Sequence, residues 1–142
     1  MSIMKNLHQI SFSIAMAIGV LAVMAFSNVS IEQDEKWVVP ESANNMENPF
    51  ADDEELLEIG KELYMQHCKS CHGKEGLGDG PKAEGLDTPS GDFSDDEFQG
   101  QTDGAIFYKT KVGRGDMPSF EKKITDEEDM WSVVNFVRTL AE

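Results

Sequence analysis

The chain is poor in the residues that small domains use to staple themselves together. It has two cysteines in 142 residues, Cys68 and Cys71, and both fall inside one five-residue motif. If that motif consumes them, no thiol remains for a structural disulfide and another staple is needed. Histidines number three, His8, His67 and His72. With two cysteines they barely reach the four ligands of a structural zinc site, and His8 lies at the edge of an apolar N-terminal segment. Basic residues are scarce as well: 12 Lys and Arg stand against 27 Asp and Glu, a net charge of −15. Nucleic-acid binding needs a basic surplus to neutralise phosphates, so that class is excluded. No segment alternates apolar and polar residues convincingly, and there is no internal repeat. A sheet-based or repetitive architecture is therefore not expected.

What is present is Cys68-Lys69-Ser70-Cys71-His72. Two thiols three positions apart, with a histidine directly after the second, form the c-type haem attachment signature. Both thiols can make thioether bonds to the vinyl groups of one haem while the imidazole of His72 reaches the iron. A thioredoxin-like reading needs a βαβ pattern around the pair; none is visible, and it leaves His72 unexplained. Covalent haem held by its iron ligands would also supply the missing staple.

Such a site needs a second axial ligand, for which the candidates are Met117, Met130, Met65, Met46 and His67. Met130 stands in the first turn of an expected helix and Met65 on the helix leading into the motif, where packing explains both. His67 precedes Cys68 and is held on the attachment side. Met117 lies in Gly113-Arg114-Gly115-Asp116-Met117-Pro118, a glycine-loosened segment whose proline biases Met117 toward an extended conformation. His72 and Met117 are thus the expected iron ligands. A soft thioether favours Fe(II), so this pair raises the reduction potential relative to two histidines. Pro81, closing the turn Gly78-Asp79-Gly80-Pro81, is expected to offer the backbone carbonyl that orients His72; stiffening the turn is its plainer role.

Along the chain, Lys5 precedes an apolar run at 10–26, and Ala25-Phe26-Ser27 offers small residues for cleavage after Ser27. Residues 1–27 are read as a signal peptide or an uncleaved membrane anchor, with the acidic body exported. Residues 28–51 are polar and acidic, with Pro40, Pro49 and one apolar patch, Trp37-Val38-Val39. They read as a flexible linker, with a reach of roughly 25–30 Å. From residue 52 to 142 the composition is that of a folded domain. Leu56, Ile59 or Gly60, Leu63 or Tyr64, and His67 recur at helical spacing ahead of the motif. Thr102-Asp103 caps a short helix that Gly113 stops, and Thr125-Asp126-Glu127-Glu128 reads as a capping box opening a last helix. The expectation is an all-α domain of three main helices with long loops wrapped around one covalently bound haem.

Residues 52–141 resemble a class I c-type cytochrome. That family places a glycine and an aromatic eight and four residues before the first motif cysteine, where Gly60 and Tyr64 stand. The resemblance implies that they cross the last helix at Val133 and Phe136, that Met117-Pro118 is the family's methionine loop, and that Pro81 is its haem-facing proline. The short, acidic stretch 84–100 departs from larger relatives, so propionate partners do not carry over; Arg114, Lys109 and Trp131 are candidates. The implied function is single-electron transfer between respiratory redox partners on the periplasmic side of a bacterial inner membrane. Residues 10–26 provide for membrane association, and the acidic charge steers the domain toward a partner with a basic docking surface. No acid–base pair or nucleophile stands near the motif, so an electron carrier is expected rather than an enzyme. The alternatives are a dedicated haem subunit of a larger membrane oxidoreductase, or a haem enzyme or sensor with a labile Met117.

Overall fold

The computed structural model describes residues 36–51 and 53–141. The leader or anchor expected at 1–27 and the start of the expected linker lie outside the described residues. Helices α1 (Glu41–Asn44), α2 (Glu54–His67), α3 (Lys69–His72), α4 (Asp96–Gln99), α5 (Asp103–Val112) and α6 (Glu127–Arg138) follow in order, with 3-10 turns at Ala83–Gly85 and Thr139–Ala141. The described residues contain no β-strand, only an isolated bridge between Arg114 and Met117. The domain is helical, as expected.

Each main helix starts where local chemistry allows. The Asp53 side chain accepts from the backbone of Glu55 and Leu56 at 3.0 and 3.3 Å, capping α2, and Glu54 and Glu55 sit at the positive end of its dipole. Thr102 caps α5 by accepting from Ala105 N–H at 3.1 Å. The last helix begins one residue later than the expected capping box: Asp126, not Thr125, accepts from Glu128 N–H at 3.0 Å. A carboxylate two residues ahead of that N–H caps better than a hydroxyl one residue further out.

Helix α2 crosses α6 through its glycine. Leu56, Gly60 and Tyr64 form its buried face, while Ile59 is 40% exposed, which resolves the alternatives left by the periodicity. A Cβ on Gly60 would collide with the Ser132 carbonyl, so only glycine lets the two backbones meet here. Tyr64 packs on Phe136 with ring centroids 5.1 Å apart. Helix α6 is buried without interruption from Met130 to Val137, and Trp131 stacks on Phe107 of α5 at 4.2 Å. Met130 belongs to this core.

The expected linker is corrected. From Trp37 onward the chain is part of the same compact unit as the helices. Ala43 of α1 is buried, and its carbonyl fits against Gly104, where a Cβ would strike it. Asn48 donates to the Asn135 side chain at 2.7 Å and to Asp103 at 3.2 Å, and Asn135 donates to the Phe50 carbonyl at 2.7 Å. Asn135 sits in the otherwise apolar run of α6, so a buried amide would be unsatisfied without this arm. Polar composition hid these specific partners.

Gly60→Ala should destabilise the protein by about 1–3 kcal/mol, because the added methyl forces the crossing helices apart. Guanidinium unfolding would show it as a lower midpoint with an unchanged slope; an unmoved midpoint would contradict the close crossing.

Candidate haem site

Helix α2 runs almost directly into the motif. Cys68 N–H bonds the Tyr64 carbonyl at 2.8 Å, and Lys69–His72 adds a single turn that Gly73 ends at φ 81°. Spacings of three and four residues place Cys68, Cys71 and His72 on one side of that turn. The two thiols are half-buried and not bonded to each other. The following loop folds back over the turn: Gly78, Gly80 and Lys82 donate to the carbonyls of His72, Cys71 and Ser70 at 2.9, 3.1 and 2.8 Å. These bonds satisfy carbonyls that the end of a helix leaves open. Gly80 lies so close to the Cys71 backbone that a Cβ would come within 2.6 Å of its carbonyl. The fully buried Tyr64 hydroxyl donates to the Gly73 carbonyl at 2.8 Å, tying α2 to the end of the motif.

The His72 ring stacks on Phe93, with centroids 4.4 Å apart. Phe93 is held by its N–H on the Gly76 carbonyl at 2.7 Å, by Gln99 on its own carbonyl at 2.7 Å, and by Phe98 at 4.2 Å. Burial pushes the His72 pKa below its usual value, partly offset by the nearby Ser90 carbonyl, so the ring is neutral at pH 7 and has a lone pair to give. Its Nδ1 is buried without a hydrogen-bond partner.

Pro81 closes the turn that follows the motif. It is exposed, whereas Ser90 joins His72 in lining the neighbouring cavity. The Gly78–Pro81 turn braces the motif backbone, its Gly78 and Gly80 amides donating to the carbonyls of His72 and Cys71.

Met117 arrives from the glycine-flanked loop. Arg114 N–H bonds the Met117 carbonyl at 2.8 Å and Met117 N–H bonds the Arg114 carbonyl at 3.0 Å, closing a tight turn. Gly113 and Gly115 take positive φ on either side of Arg114. The loop is then clipped to the end of α5 by Ser119 Oγ on the Lys111 carbonyl at 2.7 Å. Cys68, His72 and Met117 together line one cavity of about 180 Å³, whose walls include Tyr64, Phe93, Phe98, Ile106, Val133 and Val137. Trp37, Gln101 and Lys109 line it as well. Cys71, Arg114 and Trp131 do not border this cavity; Arg114 instead lies over the Trp37 ring, 5.1 Å from its centroid, and Trp131 is a core residue. His67 packs edge-on against Phe120 at 5.9 Å and, like Met46, Met65 and Met130, is not part of the lining.

The donor set fits a haem better than a bare ion. No group of three or more His, Cys, Asp and Glu able to hold a metal exists among the described residues. One imidazole and one thioether would leave an ion under-coordinated, but they are what a macrocycle with four nitrogens of its own requires. Burial, and then the neighbouring Cys71, push the Cys68 thiol up to about 12, against a weaker opposing pull from Lys123. Burial thus favours the neutral thiol at Cys68. A neutral thioether is compatible with that apolar setting.

Comparison with known proteins agrees. The sequence profile described as cytochrome c matches residues 57–141. The chain belongs to the cytochrome c family. Among solved structures, a chain of the Kuenenia stuttgartiensis reducing HAO-like protein complex superposes on this cytochrome c domain with a TM-score of 0.56 at 29% sequence identity. The likeness covers 63% of this chain and 45% of that one, so the protein spans less than half of that relative's length. No curated protein matches. Family membership implies covalent haem and haem-based electron transfer.

Sequence reasoning did not single out Phe93, Ser90 or Trp37 at this site. The only signal for Phe93 was an aromatic, followed closely by Phe98, in an otherwise polar and acidic stretch.

The Tyr64 hydroxyl gives a pH test. Burial raises its pKa above the ordinary 10.0, so the unfolded chain loses that proton first. The stabilisation from Tyr64 is whole below pH 10 and lost as pH rises beyond it. Tyr64→Phe should cost about 1–3 kcal/mol at pH 7 by stranding the Gly73 carbonyl. Unfolding midpoints of the haem-loaded proteins should converge above pH 10; a gap independent of pH would refute the assignment.

Proposed function

We propose that this protein is a monohaem c-type cytochrome that carries single electrons between respiratory redox partners. In this reading Cys68 and Cys71 form the thioether links, and His72 and Met117 are the axial iron ligands. The convergence of Cys68, His72 and Met117 on one largely apolar cavity is the observation that carries it. When bound, the haem supplies an iron that changes by one electron between Fe(III) and Fe(II). The chain's part is to keep both axial positions filled and the geometry fixed through that change. Stacking on Phe93 sets the plane of the His72 ring. The bonds clipping the Met117 loop to α5 hold the thioether in place, so little reorganises on electron transfer. With both positions filled, no substrate reaches the metal, which favours a carrier over an enzyme.

The site of action we propose is the periplasmic side of a bacterial inner membrane, with residues 1–27 serving as a cleaved signal or a retained anchor. Among the described residues no helix is long and apolar enough to cross a membrane, which leaves any anchoring to residues 10–26. The net charge of −15 supports steering toward a basic docking surface on the partner. A second reading, a dedicated haem subunit of a larger oxidoreductase, is favoured by the likeness to a chain of a multi-protein complex. Co-purification from native membranes distinguishes the two: a subunit stays with its complex, a shuttle leaves it.

A pyridine haemochrome spectrum of protein made with a haem-attachment system should show one c-type haem per chain; a colourless product with two free thiols would remove the reading. The ferrous protein should not bind carbon monoxide at neutral pH, whereas Met117→Ala should bind it and show a lower reduction potential. Ready binding by the unaltered protein would favour a haem enzyme or sensor. The association rate with the redox partner should fall as ionic strength rises; an insensitive rate would make the acidic surface simple solvation.

A further inference from the structure

The cavity has one corner unlike the rest. Most of its wall is aromatic and aliphatic, but Gln101, Lys109 and Trp37 come together at one place. Lys109 Nζ is hydrogen-bonded to Gln101 Oε1 and lies 5.5 Å from the Trp37 ring centroid. The Arg114 guanidinium lies over the same ring at 5.1 Å. Trp37 therefore has two cations against its ring and touches the cavity, yet it is only half-buried. A half-buried residue that lines a cavity stands at its boundary with solvent.

Trp37 reaches this position from outside the helices, on the arm that precedes α2. The arm is fastened by contacts other than those of Trp37: Ala43 against Gly104, and Asn48 and the Phe50 carbonyl on Asn135. These contacts hold the arm independently of the indole, whose own contacts are with the cavity and with Lys109 and Arg114.

We propose that the N-terminal arm is a working part of the haem site, with Trp37 as a positioning residue that closes the cavity edge to water and holds Lys109 where the carboxylates of a porphyrin can meet it. This rests on the reading of the cavity as a haem site. The chemistry is that of an amphipathic ligand: the apolar wall takes a flat ring, and the cationic corner takes its acid groups. An indole face attracts a cation through its quadrupole and keeps Lys109 from swinging into solvent. Positive charge and excluded water both disfavour the more positive Fe(III) state, so Trp37 raises the reduction potential in two ways that share one sign.

The test is voltammetry or redox titration of the full-length holoprotein, with a haemochrome spectrum and helical circular dichroism recorded for every variant. Trp37→Ala should attach haem, fold, and show a lower potential, while Trp37→Phe, which keeps an aromatic face, should retain most of the unaltered value. Lys109→Gln should lower the potential as well. The double variant should fall by less than the sum of the two single shifts, because Trp37 acts partly through Lys109. Asn48→Ala, which loosens the arm and leaves Trp37 intact, should shift the potential the same way by a smaller amount. An unchanged or raised potential in Trp37→Ala with haem attached would overturn the proposal, and so would strictly additive shifts. Failure of the unaltered protein to take up haem would instead overturn the reading on which the proposal rests.

Discussion

The contact of α2 with α6 at Gly60 positions everything that follows in the chain. Without a side chain there, the α2 backbone lies directly on the Ser132 carbonyl, and Tyr64 one turn later meets Phe136. The motif begins one turn after Tyr64, and its placement is inherited from that crossing. The Tyr64 hydroxyl then reaches past the motif to the Gly73 carbonyl, so one buried residue packs the core with its ring and fixes the end of the haem-binding turn with its oxygen. Core stability and site geometry are coupled here through a single side chain.

Backbone hydrogen bonds do most of the remaining positioning. The loop after His72 returns its amides to the carbonyls of Ser70, Cys71 and His72, and the Met117 loop closes on Arg114 before Ser119 fastens it to α5. Glycines stand where these loops need positive φ or close approach. This arrangement lets long segments without regular secondary structure hold a precise site. It suits a protein whose two candidate ligands come from a helical turn and a loop 45 residues apart in the sequence.

The acidity of the chain and the chemistry of the cavity pull in different directions, and the fold separates them. The polar stretch 84–100 carries much of the negative charge, yet it turns Phe93 and Phe98 inward against His72 and the core. The segment from Lys109 to Lys123 brings cations to the methionine side, Lys109 at the cavity and Arg114 against Trp37. A strongly anionic protein thereby keeps a neutral, largely apolar interior with one cationic corner.

Much of this was legible in the residues themselves. Cys68, Cys71 and His72 share one helical turn by spacing alone, the glycine–proline setting of Met117 marks a loop that reaches the cavity, and Gly60 with Tyr64 marks a tight crossing. These are local features, and local geometry follows from residue type and spacing. The capping box shifted by one residue because two adjacent side chains could each serve as cap. What only the tertiary structure decided depends on which distant segments meet. Ser90 joins the cavity wall, Phe93 stacks on the His72 ring, and the arm from Trp37 docks because a buried Asn135 on α6 requires partners. No periodicity encodes such a choice, because a polar segment looks the same in sequence whether its amides bond to water or to a buried amide far along the chain.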